Sequence, residues 1–87
     1  MFLEVIDAHY IDGYKMLLSF NNGQKRIFDF TPIIIRYPVF HCLSDLDLFK
    51  SFTLTDTLEW NDGAIDIAPE YLYENGISAN WFPDMND

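Results

Sequence analysis

The chain has one cysteine, Cys42, so no intramolecular disulfide is available to it, and no CxxC pair proposes a structural zinc. Apolar runs are short as well: residues 32–35 stop far below the roughly 20 residues that cross a bilayer, and the first residues lack the charged and apolar regions of a secretory signal. These absences set the expectation of a cytoplasmic protein with no membrane partner. Positive charge is the third scarcity. The five cations are Lys15, Lys25, Arg26, Arg36 and Lys50, and none follows Lys50. The eight acids of residues 51–87 (Asp56, Glu59, Asp62, Asp66, Glu70, Glu74, Asp84 and Asp87) therefore face no Lys or Arg of their own segment. A net charge of −9 repels phosphates, which argues against direct nucleic-acid binding and favours a basic protein as the partner.

What the chain does have is apolar and aromatic substance. Of its 87 residues 49% are hydrophobic and 17% aromatic, enough to bury a core without metals or disulfides and far from the composition of disorder. Residues 2–10 mix polar and apolar positions at period two and end at Asp12-Gly13. Residues 14–20 alternate Tyr14, Met16, Leu18 and Phe20 against Lys15 and Ser19. Asn22-Gly23 then signals a hairpin into residues 24–30, so the first third predicts a three-stranded antiparallel meander. Thr31-Pro32 predicts a short helix, with Thr31 as its cap. After Pro38 the spacing of Val39, Phe40, Leu43, Leu46 and Phe49 predicts further helix, broken near Ser44-Asp45, with Cys42 as a small core filler.

Residues 52–60, with Thr53, Thr55 and Thr57 in alternation, predict one strand, closed by Asp62-Gly63 into a C-terminal hairpin. Pro69 then opens a last helix that Gly76 stops. The expected fold is α+β: an antiparallel sheet, made of the meander plus the C-terminal hairpin, with short helices packed against it. Residues 1–76 form a single domain and residues 77–87 a tail, whose Trp81 and Phe82 either dock on the domain or hold another chain.

The elements Leu17-Leu18-Ser19-Phe20, Asn22-Gly23, Phe28-Asp29-Phe30, then Phe40, Leu43 and Phe49, and finally Trp60, Gly63, Asp66, Ile67, Pro69, Leu72 and Tyr73, resemble a family of short bacterial proteins of unknown function. The likeness runs over about residues 3–76. It implies an α+β domain that in some relatives precedes a helix-turn-helix module, whose DNA-binding role is not expected to transfer to this chain. In others it implies a stand-alone chain paired with a small protein, as in toxin–antitoxin systems. The family offers no catalytic residue to carry across.

Chemistry is sparse on its own terms. A calcium loop with Gly63 at its sixth place would need oxygen ligands at Leu58, Trp60 and Pro69, and so fails. Asp62, Asp66 and Glu70 read as a turn residue, an acceptor of backbone N–H groups at the strand-to-helix step, and a helix-dipole residue. His41 and Cys42 are adjacent on a helix and diverge by about 100°. Neither a catalytic set nor a cofactor or metal site is expected. The leading expectation is a non-enzymatic binding or regulatory module, with Asp62, Glu70, Tyr71, Tyr73, Glu74, Trp81 and Phe82 as the candidate partner-binding residues. The alternative is a self-associating structural domain, for example a homodimer joined through strand edges.

Overall fold

The computed structural model describes residues 2–80. Its first sheet is the meander: β1 (Val5–Asp12), β2 (Lys15–Phe20) and β3 (Lys25–Asp29) pair antiparallel, with Gly23 at φ +84° in the second turn. Alternation on β2 sends Met16, Leu18 and Phe20 into the core. Leu17, also buried, lies on the opposite face in a cross-strand row with His9 and Ile27. The β1–β2 register shifts between Val5 and Asp7, a bulge that leaves Ile6 exposed on the edge strand.

A fourth strand, β7 (Ile77–Ser78), adds to β3 through Arg26↔Ser78 and Ile27↔Ile77. Its continuation is fixed by Ala79 N donating to Lys25 O at 3.1 Å and Lys25 N donating to Asn80 Oδ1 at 2.7 Å. The sheet order is thus β1-β2-β3-β7, and two residues of the expected tail belong to it.

Residues 52–60 are not the single strand their alternation predicts. β4 (Thr53–Leu54) and β5 (Leu58–Trp60) form a hairpin around residues 55–57, where Thr55 N donates to Thr57 O at 3.0 Å. β6 (Ile65–Asp66) returns along β5 after a turn in which Asn61, Asp62 and Gly63 all have positive φ. The C-terminal hairpin therefore sits in a three-stranded sheet of its own, β4-β5-β6. Asp56 O accepts from Val5 N at 3.0 Å and ties the two sheets together.

Helices cover the core between the sheets' strands. α1 (Thr31–Arg36) buries Ile33 and Ile34. Its cap is not the Thr31 side chain: Asp29 Oδ1 accepts from Thr31 N at 3.0 Å, because a carboxylate two residues back reaches the free amide better than the hydroxyl of the first helical residue. Pro38 forces Tyr37 into extended backbone (φ −109°, ψ 120°) and so ends α1. A 3-10 helix, Pro38–Ser44, buries Leu43 and leaves Cys42 exposed. The expected core role of Cys42 fails because a three-residue repeat presents a narrower face than an α-helix and spends it on Leu43. Asp45 then caps α2 (Leu46–Lys50), accepting from Asp47 N at 3.0 Å, and Phe49 is buried. α3 (Pro69–Asn75) buries Leu72.

The aromatic centre joins these units. Phe30, Phe49 and Trp60 lie within 5.3–6.0 Å of one another by ring centroid, and Trp60 Nε1 donates to Phe49 O at 2.8 Å. Every buried side-chain nitrogen or oxygen among the described residues has a partner. Thr57, the buried polar residue, donates its hydroxyl to Ile67 O.

Two substitutions test this packing by urea unfolding. Gly76 ends α3 with φ −80°, and a Cβ there would stand 2.8 Å from both Arg26 Cβ and Leu72 O. Gly76→Ala is expected to cost about 1–3 kcal/mol through this collision. Thr57→Val preserves shape but leaves the Ile67 carbonyl unpaired, with an expected loss of about 1–3 kcal/mol.

Candidate functional site

α3 carries most of the residues the sequence singles out, and it separates them. Tyr71 and Tyr73 are two positions apart, about 200° around the helix, with Leu72 buried between them. Tyr73 faces Phe20, edge to ring at 5.2 Å, and Arg26 Cζ lies 4.1 Å from its ring centroid. Arg26 Nε also donates to Tyr73 O at 3.2 Å and Nη1 to Lys25 O at 2.9 Å. A cation at the end of α3 suits the helix dipole there, so Arg26 and Tyr73 clamp α3 onto β3. Their contact is structural.

Tyr71 turns the other way. Its ring lies 6.0 Å from Phe28 and is 39% exposed. Two surface hollows meet beside it. The first, about 280 Å³, is lined by Ile33, Tyr37, Phe40, Asp66, Ile67, Ala68 and Tyr71. The second, about 310 Å³, is lined by Ile27, Phe28, Asp29, Pro32, Ile33, Tyr71, Asn75 and Ile77. Ile33 and Tyr71 border both, so the hollows adjoin on either side of Tyr71 as a groove lined mainly by apolar side chains, between the 3-10 helix and the edge of the four-stranded sheet. Each hollow has one carboxylate, Asp66 or Asp29, and neither is lined by Lys or Arg.

The acids stand elsewhere. Asp62 occupies the β5–β6 turn at φ 56°, and Glu70 and Glu74 are exposed one helical turn apart on α3. Asp66 does not accept the backbone bonds expected of it. The N-cap of α3 is Ala68, without a side-chain bond, and the Asp66 side chain is exposed at the groove. Among the described residues Asp7 Oδ2 meets the ring nitrogen His9 Nε2 at 2.9 Å, and no Asp or Glu there is paired with Lys or Arg. Nor do Asp62, Asp66 and Glu70 converge: no three His, Cys, Asp or Glu side chains of the described residues are placed to hold a metal ion. His41 Nε2 is engaged by Ile35 O at 3.1 Å, on the exposed 3-10 helix with Cys42. Trp81 and Phe82 lie outside the described residues.

Of the candidates, the structure therefore brings Tyr71 to the groove, keeps Glu70 and Glu74 on exposed α3 surface, and assigns Tyr73 to packing. Sequence reading missed Ile33, Tyr37, Phe40, Ile67 and Ile77 as groove residues. The available signal was Tyr37-Pro38, which ends a helix on an aromatic residue and so leaves its ring at the margin of the fold. The division of labour on α3 is measurable by urea unfolding. Tyr71→Ser is expected to change stability by less than about 1 kcal/mol, whereas Tyr73→Ser, which removes the partner of Phe20 and Arg26, is expected to cost about 2 kcal/mol.

Residues 5–78 match the family described as "Protein of unknown function (DUF2442)". No curated protein and no solved structure matches the chain. The matched span opens at Val5, the first residue of β1, and closes at Ser78, the last of β7, so it contains every strand and helix described above. It also contains both tyrosines of α3 and the whole lining of the groove. The chain belongs to this DUF2442 family.

Proposed function

We propose that the protein is a non-enzymatic binding module that holds a basic protein partner, in the manner of the smaller regulatory member of a two-protein pair. The observation that carries this reading is the uncompensated acidity. A chain of net charge −9 keeps its described carboxylates free of Lys and Arg. Two of its five cations are instead set over aromatic rings, Arg26 over Tyr73 and Lys50 at 4.7 Å over Tyr10. Folding thus leaves the described carboxylates without direct Lys or Arg contacts, in a chain whose net field is strongly negative. Such a field accelerates and selects encounter with a positive surface.

The geometry around the one Cys supports binding over catalysis. Cys42 is exposed on a 3-10 helix, and one ring nitrogen of His41, Nε2, is engaged by the Ile35 carbonyl. Among the described residues no helix is long and apolar enough to cross a membrane. Self-association is the second reading, favoured by Ile77, 71% exposed beside Ile27 at the sheet edge.

Salt separates the two. Tagged full-length chain used as bait at low salt is expected to retain a stoichiometric basic protein that high salt releases, because screening weakens opposite-charge pairing. Sedimentation of the purified chain is expected to give a monomer. A homodimer that tightens as salt rises, with no stoichiometric partner recovered, would establish self-association instead. The Trp81→Ala/Phe82→Ala variant reports whether the last residues share in the contact: loss of the partner from that bait is the expected result.

A further inference from the structure

We infer that the groove past Tyr71 is the docking site for an amphipathic segment of the partner, with apolar side chains seated on either side of Tyr71 and Lys or Arg beside them. This rests on the basic-partner reading and adds the place and the chemistry of the contact. Three observations select the occupant. The groove floor is apolar and drawn from three separate parts of the chain, with Ile33 from α1, Phe40 from the 3-10 helix and Ile67 from the link before α3. Its only charged linings are carboxylates, Asp66 in one hollow and Asp29 in the other. Asp29 uses one oxygen on Thr31 N, and Asp66 stands exposed without a cationic neighbour among the described residues.

An acidic or purely apolar segment would bring no counter-charge to these two carboxylates. A purely cationic one would leave the apolar floor wet. The complement is a segment with both characters, arranged on opposite sides. Tyr71 stands between the hollows as the central anchor: a partly exposed aromatic ring, held from behind by Phe28 and free of other duties.

The test is a titration of the 15N-labelled full chain with three synthetic probes. One is a helical peptide with leucines on one face and arginines on the other; the second has the same composition with leucines dispersed; the third is oligo-arginine. The amphipathic probe is expected to give saturable shifts at Ile33, Tyr37, Phe40, Ile67, Tyr71 and Ile77. Dispersing the leucines, or Tyr71→Ser in the protein, is expected to weaken binding about tenfold. Asp66→Lys, at an exposed position, is expected to weaken it and to flatten its salt dependence, with the peptide-free spectrum otherwise preserved.

Equal binding of oligo-arginine, with shifts confined to the acidic turns around residues 55–62, overturns the docking site and leaves the basic-partner reading standing. No saturable binding of any probe overturns both. Concentration-dependent shifts at the groove without peptide make a second copy the occupant and overturn the inference.

Discussion

The contact between Phe30, Phe49 and Trp60 is the constraint on which the remaining structure depends. Each ring comes from a different unit: Phe30 follows β3, Phe49 belongs to α2, and Trp60 ends β5. Phe49 and Trp60 stack at 19° between planes while Phe30 meets both edge-on, so ring quadrupoles as well as area favour one arrangement. The indole N–H then has one acceptor, Phe49 O, which fixes the second sheet against α2. Among the described residues the sheets are short and no helix exceeds seven residues, so there is little local stability to draw on and tertiary packing such as this centre has to hold the elements together.

Placement of the surface follows from that centre. Once Phe30 is inside, α1 leaves the sheet with Ile33 and Ile34 inward, and Pro38 ends it with Tyr37 at the margin. The 3-10 helix packs back on α1, which brings Phe40 beside Tyr37 at 6.4 Å between rings. On the far side, Arg26 holds Tyr73, and the rotation of α3 that this requires turns Tyr71 toward α1. The groove is thus a consequence of two anchoring events on opposite sides of the helix. The same arrangement commits Arg26 to the Tyr73 ring and to two carbonyls, Tyr73 O and Lys25 O, and it forms no ion pair with a described carboxylate.

How much of this was legible depended on where each signal resided. The meander, the Asp62-Gly63 turn and α3 were readable because Asn22-Gly23, Gly63, Pro69 and Gly76 act on their own neighbours. The β4–β5 hairpin was not, since Thr55-Asp56-Thr57 carries no glycine, proline or asparagine and its threonines continue the alternation of a strand. Nor was β7, two residues whose pairing with β3 depends on a chain fifty positions away. Met16, Leu18 and Phe20 were legible as one strand face, whereas Cys42 required knowing that its helix is 3-10. At the site, Tyr71 was found as an aromatic beside acids. Its separation from Tyr73 was already implicit in helical geometry, but the identity of the clamped ring depended on Arg26, forty-seven residues earlier.

The apolar groove itself remains to be reconciled with the economy of so small a fold. Single exposed apolar residues are ordinary, and Val39 at 58% or Ile6 at 57% exposure call for no account. Contiguity is different. Tyr37, Phe40, Tyr71, Ile27 and Ile77 border joined hollows, and polar residues at the exposed members, Tyr37, Tyr71 and Ile77, would leave the Phe30–Phe49–Trp60 centre and the Arg26 clamp intact. Folding therefore does not demand their apolar character, and solubility opposes it. The acids resolve the opposition: a strongly negative chain resists collapse onto its own copies while an apolar groove stays open, and in the function proposed above the same charge would draw toward that groove a segment that is both apolar and basic.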